Sequence, residues 1–137
     1  MAHTCQAIII HCMDFRIIKS MREYLKANNL LDNCDVVSFA GGVKSLLTPK
    51  NPADRDFILG QIETSFLLHK VREVIISNHT DCGAYNSAGP FSSFEEECRF
   101  HVEEMKKAKD LISVKFPSLK VRMVLGKILP DGNVEVE

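Results

Sequence analysis

Two stretches of this chain are apolar without interruption: Ala7-Ile8-Ile9-Ile10, within Gln6 to His11, and Val74-Ile75-Ile76, within Glu73 to Ser77. A strand with one wet face alternates apolar and polar side chains, whereas an unbroken β-branched run suits a strand covered on both faces. A third run, Cys34 to Phe39 around Val36-Val37, leads into Ala40-Gly41-Gly42. Helical spacing fills the intervals. Arg16 to Asn28 sets Ile17, Met21, Tyr24 and Leu25 along one side. Asn51 and Pro52 open a second helix, with Asp54 and Asp56 near its positive end. Its core face runs through Phe57 or Ile58, Ile62 and Phe66 towards His69. Ser92-Ser93 with Glu95 and Glu96 forms a capping box for a long helix that ends near Phe116, before Pro117. Its stripe is Phe94, Cys98, Val102, Met105, Leu111 or Ile112, and Phe116. Two last strands, Val121 to Leu129 and Val134 to Glu137, flank the Asp131-Gly132 turn.

The order β-α-β-α-β-α-β-β predicts an α/β fold with a mostly parallel central sheet flanked by helices. About four parallel strands in the order 2-1-3-4 are expected, plus an antiparallel C-terminal edge strand. Residues 1–137 are read as a single domain, in keeping with the 137-residue length. In such sheets ligands bind beyond the carboxyl ends of the strands, where connections switch from one face to the other. The residues just after each strand are therefore the ones to weigh.

Lys and Arg number 17 against 18 Asp and Glu, a net charge of -1, which argues against a dedicated nucleic-acid binder. No run of 18 apolar residues is present, so no membrane span is expected. Met1 to Cys5 lacks the basic and apolar regions of a secretory signal, and five cysteines, an odd number, read as reduced thiols of a cytoplasmic protein.

His11-Cys12-Met13-Asp14-Phe15-Arg16 follows the first strand, and Asn78-His79-Thr80-Asp81-Cys82-Gly83 follows the third. If those strands are neighbours, Cys12, His79 and Cys82 converge. Two thiolates and an imidazole are a donor set suited to Zn2+, and three protein ligands leave a fourth position open, as catalytic zinc sites do. Asp14 and Arg16, two apart in an extended segment, can pair as carboxylate and guanidinium beside the metal. A cysteine phosphatase is the first rival. Its phosphate loop needs an Arg six residues after the Cys, where this chain has Ile18. Cys5, Cys34 and Cys98 are assigned to packing, and His3, His69 and His101 have no partner at metal-ligand spacing.

The pattern Cys12-x-Asp14-x-Arg16 followed by His79-x-x-Cys82-Gly83 resembles the β-class carbonic anhydrases, in particular the small archaeal-type members. Phe39-Ala40-Gly41-Gly42 is similar to that family's glycine-bearing turn after the second strand. The resemblance covers nearly the whole chain. It implies that Cys12, His79 and Cys82 hold zinc and that Asp14 and Arg16 form the gating dyad. The implied reaction is reversible hydration of CO2 to bicarbonate, carried out by a homodimer or higher homo-oligomer. In the family, the counterpart of Asp14 can itself occupy the fourth zinc position. Relatives act on carbonyl sulfide or carbon disulfide, and a weakly active or inactive zinc-binding regulatory domain of the same fold is a further alternative. Phe15 stands where the family commonly has a small side chain, and Asn78 where Gly is usual. The first strand begins close to Met1, so no N-terminal helical arm is expected. His11 is the candidate proton shuttle, weighed against a plain strand residue bonded to its neighbour.

Overall fold

The computed structural model describes residues 3–137. Its five-stranded sheet comprises β1 (Ala7–Cys12), β2 (Cys34–Phe39), β3 (Glu73–His79), β4 (Lys120–Ile128) and β5 (Val134–Val136), in the order β2-β1-β3-β4-β5. The first four strands are parallel and β5 is antiparallel to β4, as the sequence predicts. Every residue of β1 and of β3 is buried, the outcome expected of the two unbroken apolar runs. β2 lies at the edge, and its Val36 is exposed.

Helices α1 (Ile18–Ala27), α2 (Lys44–Leu47), α3 (Pro52–His69) and α4 (Phe94–Lys115) cover the sheet. Side chains alternate across β1. Ile8 and Ile10 pack with Ile58, Ile62, Met105 and Ile112 of α3 and α4, while Ala7 and Ile9 pack with Ile17, Met21 and Leu25 on the α1 side. Each aliphatic side chain fully buried in these two layers contributes about 1.5–3 kcal/mol. The caps form as read: Asn51 accepts from the Ala53 N–H, Ser93 Oγ accepts from the Glu96 N–H, and the Glu96 carboxylate returns to Ser92.

Besides small shifts at strand ends, three details differ from the sequence reading. A 3-10 turn, Phe15–Ile17, precedes the first helix and delays its start to Ile18. The short α2, carrying buried Leu46, lies in a segment with no periodicity to betray it. In α3 the core face is Ile58, Leu59, Ile62 and Ser65, and Phe57 points outward with 63% exposure. Consecutive apolar residues gave two phases for that face, and packing against the sheet selects one.

Candidate metal centre

β1 is the strand at which the chain reverses direction across the sheet: one crossover leads to β2 on one side, the next to β3 on the other. A crevice opens at such a reversal, beyond the carboxyl ends of the two strands. Cys12 is the last residue of β1 and His79 the last of β3, two residues further along the strand than the sequence reading ended it. Cys82 follows on the turn into a second 3-10 segment, Gly83–Ala88. All three side chains are buried, and their donor atoms lie within 4.8 Å of one another. The sheet therefore brings together all three of the predicted ligands.

The site also fits a metal in its detail. His79 donates Nδ1–H to the Thr80 carbonyl at 2.7 Å, so Nε2 is the nitrogen left facing the thiols. That Nε2 is buried without a hydrogen-bond partner among the described residues, a situation that costs about 1–3 kcal/mol unless something occupies the lone pair. The fixed tautomer is the second-sphere arrangement a metal-binding imidazole needs. The Gly41 N–H points at Cys12 Sγ from 3.4 Å. Cys12 is held well below the usual thiol range, first by the neighbouring Cys82 group and then by His79 and the Gly41 N–H. The Cys12 thiolate and burial push Cys82 up in turn. Burial opposes a charged His79, but Cys12, the Thr80 carbonyl and Asp14 outweigh it, and its pKa moves up. The cluster is thus a concentration of negative charge that draws protons, and a divalent cation competes for the same lone pairs.

Asp14 and Arg16 pair as expected, though by a different local route. Asp14 caps the 3-10 turn by accepting from the Arg16 N–H at 2.9 Å. The Arg16 guanidinium then closes a bidentate pair, Nε to Oδ1 at 3.0 Å and Nη2 to Oδ2 at 2.7 Å. The turn, not an extended segment, sets the two side chains face to face. Arg16 holds the Asp14 carboxyl at a pKa of about 2, so it stays ionised, with Oδ2 3.8 Å from His79 Nε2.

Asp81 is a residue that the sequence reading passed over. Arg16 donates to its carboxylate at 2.8 Å and to its carbonyl at 3.0 Å, so one guanidinium ties the two motifs together. Asp81 has φ +54°, a left-handed conformation, and the only sequence signal was its place between two candidate ligands. Asn78 is a buried junction. Its Oδ1 accepts from the Val43 N–H at 3.0 Å, and its amide reaches Tyr85 Oη and His101 Nδ1. His101 is fully buried; it lies at helical spacing with Met105, Ala108 and Ile112, a place on the stripe that the sequence reading gave to Val102. Phe15 is 85% exposed and does not fill the crevice. His11 is buried and bonded to the Cys12 carbonyl at 2.7 Å, the plain strand role weighed against a shuttle.

Two glycines make the close packing possible. Gly42 has φ +58°, and a Cβ there would strike the Ser77 carbonyl oxygen and lie 2.5 Å from Asn78 Oδ1. Gly126 sits opposite His79 in the β3–β4 register, where a Cβ would come within 3.1 Å of the His79 Cβ. A cavity of about 200 Å³ adjoins Cys82, lined by Asp81, Tyr85, Phe91 and Glu97 among others.

Residues 2–126 match a family model described as "Putative carbonic anhydrase". An uncharacterized protein of Rickettsia conorii is 34% identical over 131 residues, which cover 93% of this chain and 69% of that protein. The fold is similar to that of β-carbonic anhydrase isoform I from Trichomonas vaginalis, with TM-score 0.62 and 14% identity over 98% of this chain and 83% of that one. It is also similar to the apo form of a carbon disulfide hydrolase, with TM-score 0.56 and 14% identity over 98% and 79% of the two chains. The sheet order, the two motifs and these matches agree: the chain belongs to the carbonic anhydrase family, and its fold is that of the β class.

Proposed function

We propose that this chain, read as one domain over residues 1–137, is a zinc-dependent carbonic anhydrase that hydrates CO2 reversibly to bicarbonate. Cys12 Sγ, His79 Nε2 and Cys82 Sγ would hold the ion. The observation that carries the reading is the buried, unpartnered His79 Nε2 between two thiols, with an ionised, clamped carboxylate beside it. Zinc bound there supplies the Lewis acidity that makes hydroxide available from water near neutral pH. Asp14 Oδ2 accepts a hydrogen bond from the incoming water and so orients it. Arg16 keeps that carboxylate ionised and still, and Asp81 holds Arg16 from the other motif. The Gly41 N–H supports the Cys12 sulfur, and the Thr80 carbonyl fixes the His79 ring.

The working form is proposed to be a homodimer or higher homo-oligomer. Met13, Phe15 and Ile18 are exposed apolar side chains beside the centre, and Val36 is exposed on the β2 edge, surfaces that pairing would cover. Among the described residues no helix is long and apolar enough to cross a membrane. The cytoplasmic setting is proposed on the five free cysteines. Stopped-flow CO2 hydration by zinc-loaded protein is the test. A rate above buffer that Cys82→Ser abolishes supports the proposal. Bound zinc with no rate identifies a regulatory domain or an Asp14-closed site, and turnover of carbonyl sulfide or carbon disulfide alone reassigns the substrate.

A further inference from the structure

A second set of soft and borderline donors lies at the opposite end of the sheet. Cys5 precedes β1, Asp35 is the second residue of β2, and His69 is the last residue of α3. Each offers one ligand atom, and the three atoms lie within 4.8 Å of one another. Sequence spacing hid the cluster, because its members are separated by two crossovers and only the parallel pairing of β1 with β2 aligns them. The backbone fixes the arrangement: the Cys5 N–H donates to the His69 carbonyl at 3.0 Å, and Ala7 pairs with Cys34.

The carboxylate is oriented. Ser65 Oγ donates to Asp35 Oδ2 at 2.7 Å, and His69 Nδ1 lies 2.7 Å from the same oxygen. The Cys5 thiol makes a long contact to the Ala7 carbonyl at 3.5 Å and lies within 4.8 Å of the Asp35 and His69 donor atoms. All three residues are half-buried around a cavity of about 290 Å³, which His3 and Cys34 also line, so an ion has both shelter and a way in. The His3 ring stands 4.9 Å from the His69 ring and adds a further imidazole to the same cavity.

We propose that Cys5, Asp35 and His69 form a second metal site, for a borderline divalent transition ion such as zinc, at the amino-terminal end of the sheet. One thiolate, one imidazole and one carboxylate are a donor set that zinc accepts, with bond lengths near 2.3, 2.0 and 2.0–2.2 Å. Tetrahedral bonds of that length put ligand atoms about 3.3–3.6 Å apart, which side-chain shifts of about an ångström reach from the observed positions. Binding transfers the Cys5 thiol proton to solvent, and the neutral imidazole keeps one N–H. The ion would tie the entry to β1, the start of β2 and the end of α3 at one point, away from the Cys12 centre.

Zinc per chain, measured by plasma mass spectrometry after equilibration with excess zinc and gel filtration, tests this. The unaltered protein should retain two ions. Cys12→Ser with Cys82→Ser should retain one, and adding Cys5→Ser and His69→Ala to that background should remove it. Cobalt offers a second readout independent of the altered ligands: in the Cys12→Ser, Cys82→Ser protein, Co2+ should still give a thiolate charge-transfer band. An ion count that Cys5→Ser with His69→Ala leaves unchanged, or no cobalt–thiolate band in the Cys12→Ser, Cys82→Ser variant, overturns the proposal.

Discussion

Replacing Gly42 with alanine tests how tightly the turn after β2 is packed on the strand that carries His79. Two penalties combine at this position. An L side chain at φ +58° costs about 1–2 kcal/mol. A methyl group driven onto the Ser77 carbonyl and Asn78 Oδ1 is overpacking, at about 1–3 kcal/mol, because one of those atoms is backbone of a fully buried strand. A total near 3 kcal/mol is expected. Unfolding entropy of about 2.1 cal/mol/K per residue over 137 residues converts that loss into a Tm roughly 10 °C lower. Calorimetry on chelator-treated proteins avoids any contribution from bound ion. Gly60→Ala is the matched control: no atom lies within 4 Å of its Cβ position, and it sits inside α3, so Tm should rise by about 2–3 °C. Because Asn78 also holds the Val43 N–H, Gly42→Ala should weaken metal binding at the neighbouring His79 by about 10–100-fold. A Tm within 2 °C of the unaltered protein would refute the close approach and the reasoning built on it.

Four further outcomes are expected. Cys82→Ser should lower bound zinc by one ion per chain and abolish CO2 hydration, read by plasma mass spectrometry and stopped flow. Asp14→Asn should keep that ion but lose about 10–100-fold in hydration rate, since it removes an orienting group and not a ligand. His101 is buried among the Tyr85, Phe91 and Phe100 rings, and this burial first, with His79 second, lowers its pKa from 6.5 to about 4. The stability tied to its neutral form is complete above pH 6.5 and is lost as pH falls towards 4, by up to about 3 kcal/mol; His101→Phe should flatten that part of the urea-unfolding profile. Light scattering at tens of micromolar should return a dimer or larger, and a monomer would refute the oligomer proposal.

What could be read from the sequence follows from how local each signal is. β1 and β3 were legible because Ile8-Ile9-Ile10 and Val74-Ile75-Ile76 satisfy a strand buried on both faces in any register. The caps at Asn51 and Ser93 act within three residues and were equally plain. Cys12, His79 and Cys82 could be brought together on paper because strand order alone makes them neighbours. The Arg16–Asp81 tie could not, since it depends on the left-handed turn at Asp81. The burial of His101 was signalled by its helical spacing with Met105, Ala108 and Ile112 but masked by its polar ring, which the Asn78 amide accommodates. Asp35, His69 and Cys5 escaped for a related reason: each looks like an ordinary strand-end or helix-end residue until the crossovers bring them together.

The sheet order also dictates a sequence of events during synthesis. β3 is hydrogen-bonded between β1 and β4, so His79 reaches its final place only once residues 120–128 have emerged and docked. Before then Cys12, His79 and Cys82 have all emerged, but His79 still lacks the β4 edge that fixes it opposite Gly126. An ion at this centre would therefore meet a loose set of donors before β4 docks and a fixed set afterwards, so closing the sheet would tighten its hold.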